Sequence, residues 1–570
     1  MTIPAGRLAA PGQHAVTARS SAGSFTSIAS VSPWWRSSEQ LADGAAVVTL
    51  AVVAAIAAAT FRDYGLGWDD YTHSQYGGLL LDLYGSGFTD RRALGFVNLY
   101  AYGGGFDMAA ALLAKVLPFD LFETRRLAGA LVGLVGLAAT WRVGRRVGGP
   151  LAGLIALVLL ATCPLYYGQM FMNAKDGPFA AAMAVLTLGL VHVFERYPRV
   201  TPTTGALVGV SIGLAIGTRI LGGFAAIEAL IVCLAILAIE TRAFGWRPAA
   251  ARLAAFIVAM LPALAIAYVV MALVWPWSVV APLNPMRAID YFSHFFEKPW
   301  RELFAGQFIL VPDMPRRYVP QLFWLTLPEI TLALGLCGAA GAFAAALDRR
   351  LTTQRRAVLL LLALGATFPI ALTVVLRPAM YNGIRHFVFV APAIAVVGGL
   401  AGAWLIERVA AWRAGAAAAA AALLAIGSAL PVVAMAKLHP YEYTYFNRIE
   451  GGVRGARSRY MLDYWGLSLK QASEALLARL AADHAQPSGR AYWKIAVCGP
   501  HPPAQVALGP HFDVLWDPRG ADFVMSLAEY YCLPLDAPVL AEVKRDGVVY
   551  ARVYDVRGRS FPTLLSVPAP

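Results

Sequence analysis

The chain has 570 residues, of which 58% are hydrophobic and only 14% are charged, and its mean hydropathy is +0.59. An ordinary soluble domain carries about 25% charged residues, so this composition excludes a soluble protein and indicates one that crosses the membrane several times. The formal net charge of +13 comes mainly from arginines in short loops between apolar runs. No basic stripe accompanies them, so we expect no nucleic-acid partner.

Apolar runs of about 20 residues, the length that crosses a bilayer as a helix, predict eleven transmembrane helices. These runs are centred on 41–60, 127–140, 151–168, 177–194, 203–217, 220–240, 253–275, 321–347, 357–376, 386–406 and 415–436. Most loop arginines fall in alternate loops, as in 142–146 and 349–356, and the positive-inside rule places those loops in the cytoplasm. With an odd number of spans, the amino terminus is then cytoplasmic and the carboxyl terminus extracytoplasmic.

The chain divides into three regions. Residues 1–40 are rich in Ala, Ser and Gly and are expected to form a flexible cytoplasmic tail, 41–437 a transmembrane domain, and 438–570 a small extracytoplasmic α/β domain. The outer loops 61–126 and 277–320 are too long to be simple turns, and long loops of this kind usually carry function. The predicted fold class is a polytopic α-helical membrane protein with a C-terminal α/β domain.

The last region has the patterning of a soluble domain. Residues 468–482 have helical spacing with Ser468 in the capping position. Residues 493–497 and 523–525 are predicted to be short strands, and the apolar segments 539–544 and 548–553 flank Asp546-Gly547, which predicts a hairpin turn.

The five cysteines show no metal-ligand spacing. Only Cys498 and Cys532 belong to the outer region, since the other three lie in or beside apolar runs. The two are either a disulfide of an oxidising compartment or a pair of buried free thiols. Sequence does not supply the geometry that a disulfide requires, so both alternatives stay open.

Two adjacent carboxylates, Asp69 and Asp70, follow the first apolar run. Acidic groups at a membrane face are costly unless they are paired, solvated or used in chemistry. Burial and the neighbouring charge are expected to couple their titration and to raise the pKa of one of them. The pair indicates an enzyme more than a membrane anchor.

A second group of charged residues lies on the same outer face. Asp176 begins the fourth span and has a simpler alternative as a helix cap. Lys175 precedes it, where a cation is unfavourable for the helix dipole and suits an anionic ligand instead. Arg219, Arg385 and His386 lie in outer connections, against the topological bias. Snorkelling arginines and an interface histidine are the alternatives, but their grouping favours phosphate binding.

An acidic pair facing several cations suits a displacement at a sugar carbon. The carboxylate takes a proton from an acceptor, and the cations stabilise a departing phosphate carried on a lipid. A different class, a transporter or flippase for a lipid-linked or anionic substrate, also suits eleven helices with outward cations, and Glu228 inside an apolar run gives it some support. A non-catalytic subunit or sensor leaves the acidic pair unexplained.

The order of these motifs resembles the GT-C membrane glycosyltransferases. The nearest likeness is to the bacterial branch of protein O-mannosyltransferases and lipid A aminoarabinose transferases, and it covers roughly residues 40–570 in architecture. The resemblance implies a bacterial plasma-membrane enzyme with a polyprenyl-phosphate-linked sugar donor and a lipid, glycan or protein acceptor. It also implies inversion at the anomeric carbon.

Matching the motifs residue by residue assigns roles. Asp69 takes the place of the catalytic base, and Asp70 stands where the family usually has Glu. Asp176 matches the second acidic position that organises the site. Arg385 and His386 match an Arg-aromatic pair that meets the donor phosphate, with His in place of the more usual Tyr. The requirement for a divalent cation stays open.

An aromatic stretch follows the last span. Tyr441 and Tyr445, and then Asp463, Tyr464 and Trp465, resemble a segment found after the last helix in many members of this branch. One interpretation is an aromatic belt that seats the outer domain on the membrane. The other is an acceptor groove, because sugars stack on aromatic faces.

Overall fold

A computed structural model describes residues 34–293, 300–487 and 489–565. Its helices are α1 (Trp34–Thr60), α2 (Asp70–Gly85), α3 (Gly105–Leu113), α4 (Leu121–Ala161), α5 (Pro164–Met172), α6 (Asp176–Arg196), α7 (Pro202–Thr218), α8 (Phe224–Phe244), α9 (Trp246–Val274), α10 (Trp277–Val280), α11 (Asn284–Ser293), α12 (Tyr318–Thr326), α13 (Glu329–Leu347), α14 (Thr353–Leu376), α15 (Ala391–Ala410), α16 (Ala414–Leu438), α17 (Gly452–Ala456), α18 (Leu469–Ala482), α19 (His501–Leu508) and α20 (Phe561–Leu564). Its strands are β1 (Arg301–Phe304), β2 (Gln307–Leu310), β3 (Trp493–Cys498), β4 (Phe512–Leu515), β5 (Phe523–Leu527), β6 (Val539–Arg545) and β7 (Val548–Asp555). Residues 1–33 of the expected cytoplasmic tail lie outside the described part.

Nine helices of the described residues are long and apolar enough to cross a membrane, by length and composition. One of them, α4, has 41 residues and is two helical arms joined at a reversal, and α5 follows the second arm after Thr162 and Cys163. The 17-residue α7 is a shorter apolar helix. Counted this way, the described residues contain eleven apolar segments, and the predicted multi-pass helical architecture is confirmed.

The reversal inside α4 has a local cause. Gly149 adopts φ 83° and ψ 177°, a conformation that excludes most side chains, and Pro150 then begins the second arm with its φ already fixed. A Cβ built on Gly144 would lie 3.1 Å from the Cβ of Ala156, although twelve residues of straight helix would separate them by about 18 Å. The two arms are therefore antiparallel. Helix α15 packs along α4 and α13 and forms the buried centre of the bundle.

The C-terminal domain contains a five-stranded mixed sheet in the order β4-β3-β5-β7-β6. Strand β3 is parallel to both β4 and β5, while β7 is antiparallel to β5 and β6. Helices α18 and α19 pack on this sheet. Asp546 and Gly547, at φ 44° and 79°, form the predicted β6–β7 turn. Strand β4 and the β1–β2 hairpin of the outer loop were not predicted.

Two sequence expectations in this domain are resolved by the structure. Ser468 precedes α18, but its side chain makes no capping hydrogen bond. Instead the carboxylate of Asp463 accepts the backbone N–H groups of Gly466, Leu467 and Ser468 at 2.9 to 3.1 Å. Cys498, which ends β3, forms a disulfide with Cys532.

Candidate active site

A cavity of about 620 Å³ lies between the C-terminal domain and the ends of the membrane helices that face it. Its walls come from the loop before α2 and the start of α2, the α2–α3 connection, the α5–α6 connection, the segment before α15, the start of β1 and two loops of the C-terminal domain. The charged and aromatic side chains that line the cavity are Asp69, His73, Tyr102, Lys175, Trp300, Arg301, Tyr381, Arg385, Tyr464, Trp465, Tyr530 and Tyr531.

The two adjacent carboxylates have different surroundings. Asp69 lines the cavity with a side chain that is 42% exposed, and its Oδ2 lies 3.2 Å from Nζ of Lys175. The side chain of Asp70 is 3% exposed and pairs with Nη2 of Arg126 at 2.7 Å. It also accepts the backbone N–H of Gly67 at 2.7 Å. Asp69 is therefore available for chemistry, whereas Asp70 fixes the loop that presents it.

The expected rise in pKa of one acidic residue is not what the structure shows for Asp69. Burial alone raises the pKa of this carboxyl group, but the positive charges of Lys175, His73 and Arg385 outweigh it and lower the pKa to about 2. For Asp69 the expected rise is wrong, because two of these charges, Lys175 and Arg385, come from distant parts of the chain. Asp69 is therefore ionised across the physiological pH range.

Asp176 is the centre of a buried ionic cluster and does not cap its helix. Its side chain is 1% exposed and pairs with Nη1 of Arg219 at 2.6 Å and Nη1 of Arg385 at 3.1 Å. The cap is supplied by Asn173, whose Oδ1 accepts the backbone N–H groups of Lys175 and Asp176 at 2.8 and 2.9 Å. The role of Asp176 here is to hold two arginines at one point.

Of the four residues assigned to phosphate, two line the cavity. The guanidinium of Arg385 lies over the ring of Trp465 at 4.5 Å and donates to the hydroxyl of Tyr381 at 3.1 Å. Nζ of Lys175 lies 4.6 Å from the ring centroid of Tyr102. Arg219 sits behind them on Asp176.

His386 is the fourth of these residues and also lies outside the cavity lining. Its ring packs on that of Tyr381 at 5.0 Å between centroids. It therefore supports the aromatic side chain beneath Arg385 and does not face the space where a phosphate would sit.

The aromatic stretch after the last span splits into two parts. Tyr464 and Trp465 line the cavity. Tyr441 instead donates to Oε1 of Gln471 at 2.8 Å and stacks on Tyr550 inside the outer domain. Tyr445 is buried away from the cavity, in a groove beside the end of α16.

Asp463, like Tyr441 and Tyr445, does not line the cavity. Besides the three backbone N–H groups of the following turn, it accepts the hydroxyl of Tyr443. These contacts orient the turn that carries Tyr464 and Trp465. The interpretation as a domain-seating segment thus suits Tyr441, Tyr445 and Asp463, and the interpretation as a groove suits the other two.

Trp465 joins the outer domain to both acidic motifs. Its Nε1 donates to the carbonyl oxygen of Met172, and its own carbonyl accepts the backbone N–H of Trp68 at 3.2 Å. The ring passes so close to Gly67 that a Cβ there would lie 1.6 Å from Cδ1 of the indole. Position 67 therefore has room only for glycine, because the indole ring of Trp465 occupies the space that a side chain would need.

Sequence reasoning missed several residues of the site. The aromatic residues Tyr102, Trp300, Tyr381, Tyr530 and Tyr531 gave no signal, because single aromatics occur throughout a membrane protein. Among the described residues, no three His, Cys, Asp or Glu side chains lie together as a metal site would require.

One missed group did carry a signal. Arg125 and Arg126 are adjacent and lie near the start of α4, in a connection where the predicted topology and the positive-inside rule leave few arginines expected. Each pairs with a buried carboxylate, Arg125 with Asp107 at 2.6 Å and Arg126 with Asp70 at 2.7 Å. This unexpected pair of arginines could have predicted that two buried carboxylates lie nearby.

The sequence model of the family described as dolichyl-phosphate-mannose-protein mannosyltransferase matches residues 106–277. This match confirms, for that part of the chain, the resemblance to the protein O-mannosyltransferase branch. It includes Lys175, Asp176 and Arg219 but neither Asp69 nor Arg385. No curated protein matches the sequence.

Several solved structures are similar to this one. ArnT from Cupriavidus metallidurans in the apo state has 17% identity and a TM-score of 0.45, with 91% of this chain and 98% of that chain covered. The same protein bound to undecaprenyl phosphate has 16% identity and a TM-score of 0.44, with 90% and 98% covered. The apo oligosaccharyltransferase of Archaeoglobus fulgidus has 14% identity and a TM-score of 0.48, with 84% and 65% covered.

Proposed function

We propose that the protein is an inverting glycosyltransferase that moves a sugar from a polyprenyl-phosphate donor to a hydroxyl group of a lipid, glycan or protein acceptor. The observation that carries the proposal is one cavity in which an exposed carboxylate, Asp69, faces two cations, Lys175 and Arg385. The match of residues 106–277 to a family named for mannosyl transfer from dolichyl phosphate supports it.

Lys175 and Arg385 would bind the donor phosphate. A phosphodiester carries one negative charge before transfer, and its product gains more, so fixed cations stabilise the departing group more than the bound donor. Arg385 is held by Asp176 at 3.1 Å, which orients its guanidinium before the substrate arrives. Arg219 shares the same carboxylate and limits how far Asp176 neutralises Arg385.

Asp69 would act as the base. A donor phosphate attracts Lys175, which weakens the field that now keeps the pKa of Asp69 low, so binding itself makes the carboxylate more basic. The acceptor hydroxyl then gives its proton to Asp69 while its oxygen bonds to the anomeric carbon. The bond from that carbon to the phosphate oxygen breaks with its electron pair, and attack from the opposite side inverts the configuration.

The same proposal places the site in the cell. The cavity would open at the outer face of a bacterial plasma membrane, with 41–437 as the membrane domain, 438–570 as the outer domain and a cytoplasmic amino terminus. This orientation keeps the lipid tail of the donor in the bilayer and its phosphate at the level of Lys175 and Arg385.

The test is glycosyl transfer by purified protein in detergent, with a panel of polyprenyl-phosphate sugars and a crude envelope acceptor. We expect Asp69→Asn to lose about 10²- to 10⁴-fold in rate, the usual contribution of a general base. Binding of the donor should persist. A variant that turns over at the wild-type rate would remove Asp69 as the base.

Glu228→Gln is the matched control, because Glu228 is a buried carboxylate within α8, away from the cavity lining. It should leave transfer unchanged. If the protein is a transporter, the opposite result is expected: Glu228→Gln stops substrate movement in liposomes, and Asp69→Asn does not.

A further inference from the structure

A histidine outside the cavity lies between two carboxylates from distant parts of the chain. His439 immediately follows α16, and its Nδ1 lies 2.7 Å from Oε1 of Glu442, in the segment that enters the C-terminal domain. Its Nε2 lies 2.9 Å from Oδ2 of Asp63, in the loop after α1. The ring also packs edge-on against that of Tyr64 at 5.3 Å between centroids. One imidazole therefore joins the chain just after α1 to the chain just after α16.

The two contacts of the ring require one protonation state. An ionised carboxylate only accepts hydrogen bonds, and a neutral imidazole has a single N–H group. A neutral His439 would therefore present a lone pair to one of the two carboxylates, at a distance that suits a hydrogen bond. The imidazolium donates to both. Oε1 of Glu442 also accepts the hydroxyl of Tyr64 at 3.0 Å, so this carboxylate is an acceptor toward both neighbours.

The charges around His439 favour the imidazolium. Burial lowers the pKa of the ring, but the hydrogen bonds and charges of Glu442 and Asp63 outweigh it and raise the pKa above its ordinary value of 6.5. The side chain of Glu442 is 2% exposed, so salt screens its charge little. The other titratable groups around this junction are Arg62 and Tyr64 after α1, Tyr167 in α5, Lys437 in α16, Lys470 in α18 and Arg545 in β6.

Contacts lead from this junction to the wall of the cavity. Arg545 of β6 donates from Nε to the carbonyl oxygen of His439 at 2.6 Å. A little further along the chain, the hydroxyl of Tyr443 donates to Asp463. The carboxylate of Asp463 orients the turn that carries Trp465, which lines the cavity. The segment held by His439 is therefore the one on which the C-terminal domain is seated.

We propose that His439 is a pH-sensitive clamp that holds the C-terminal domain on the membrane domain. The protonated ring ties the loop after α1 to the segment that enters the C-terminal domain, and loss of the proton releases one of the two contacts. A histidine with a raised pKa in the folded state contributes stability that is complete below pH 6.5 and is lost as pH rises through the folded pKa. The clamp acts on the seating of this domain whatever reaction the cavity performs.

The experiment is hydrogen exchange of the purified full chain, read by mass spectrometry for residues 61–67 and 439–446 between about pH 5.5 and about pH 8.5. A local measurement is needed because burial raises the pKa of Glu302 to about 7 and that of Glu529 to about 8, so both carboxyl groups titrate in the same range. Comparing the wild type with each variant at the same pH cancels the intrinsic effect of pH on exchange.

Below about pH 6.5, we expect both segments to exchange about two- to five-fold faster in His439→Gln than in the wild type, the usual worth of a partly exposed ion pair. The difference should disappear as pH rises, because the wild-type ring becomes neutral and glutamine is neutral throughout. Asp63→Asn should lose its protection at a lower pH than the wild type, since one of the two charges that hold the proton is gone. His511→Gln, at an exposed histidine of the C-terminal domain, should match the wild type.

Several outcomes would overturn the clamp. A difference between His439→Gln and the wild type that stays constant over the whole pH range would show that His439 contributes packing and not a titrating charge. No difference at any pH, or an equal change in His511→Gln, would show that the contacts of His439 do not hold these segments. If His439→Gln does not fold, Asp63→Asn decides, because Asp63 is 49% exposed. Loss of its protection at the same pH as in the wild type would then overturn the clamp.

Discussion

The cavity has two walls built on different principles. On the membrane side, three buried carboxylates behind the lining are paired with buried arginines: Asp70 with Arg126, Asp107 with Arg125, and Asp176 with Arg219 and Arg385. On the outer-domain side, the wall is aromatic, with Tyr464, Trp465, Tyr530 and Tyr531 on loops. Buried charges tolerate little displacement, whereas aromatic faces accept many shapes. We infer that the first wall serves the chemistry and the second the fit of the acceptor.

The largest effect should come from Arg385→Met, which removes a charged group of the first wall. We expect a loss of about 10²- to 10³-fold in kcat/KM, the usual cost of one donor to a developing anion. Arg385→Lys should recover little, because lysine has no planar fork to bond Asp176 and a phosphate together. Arg457→Met is the control, an exposed arginine of the outer domain. Similar activity in Arg385→Met and Arg457→Met would contradict the assignment.

Lys175→Met should have the next largest effect and should also change the pH profile. Burial raises the pKa of Asp69, and the charge of Lys175 is the first of the causes that lower it to about 2. Without Lys175 the pKa rises, and because the base works only when ionised, the acid limb of kcat/KM moves to higher pH. Lys115→Met, at an exposed lysine after α3, should leave the profile unchanged. An acid limb that stays in place in Lys175→Met would separate the lysine from the base.

Glu302→Gln should change how the stability of the protein depends on pH. Glu302 joins the β1–β2 hairpin to the segment that carries Arg385. Its carboxylate accepts the hydroxyl of Tyr318 and the backbone N–H of Asn382, and burial raises its pKa from 4.5 to about 7. A raised pKa favours the protonated folded state, so this stability is complete below pH 4.5 and is lost as pH rises through 7.

The measurement for Glu302 is thermal unfolding between about pH 5 and pH 8. The shift corresponds to about 3 kcal/mol, and we expect the wild type to lose part of its stability over this range. Glu302→Gln should flatten the dependence, whereas Glu407→Gln, at an exposed position of α15, should not. Parallel curves for the wild type and Glu302→Gln would show that another group is responsible.

Cys532→Ser should have the smallest effect, confined to the aromatic wall. The Cys498–Cys532 disulfide holds the loop that carries Tyr530 and Tyr531, so its loss should let those rings move. We expect the KM for acceptor to rise by less than about ten-fold, which is 1.4 kcal/mol, with unchanged kcat and donor affinity. Cys337→Ser is the control, since Cys337 is an exposed free thiol. A fall in kcat would instead show that this loop affects the catalytic step.

The sequence predicted the membrane architecture well because its signals are local. A run of apolar residues specifies a span by itself, and Asp546-Gly547 specifies a turn by itself. The β1–β2 hairpin was missed because its strands are only four residues each. The short β4 was missed for the same reason, since four residues show too little alternation to be distinguished from a loop.

The site was harder to predict because its properties depend on contacts between distant residues. Sequence could not distinguish Asp69 from Asp70, because the difference between them is Lys175 on one side and Arg126 on the other. The direction of the pKa shift failed for the same reason. His73 and Asp107 show no relationship in the sequence, but in the structure Nδ1 of His73 lies 2.7 Å from Oδ2 of Asp107.

The contact between Gly67 and Trp465 also has a consequence for the order of events in the cell. A polypeptide is made from its amino terminus, and early regions fold before late ones arrive. Asp69, Lys175 and Arg385 are therefore all synthesised before the indole ring that lies over Gly67 and Arg385. A partly synthesised chain would hold the charges without the aromatic cover. Under the proposed function, newly made protein would thus remain inactive until the last region has docked.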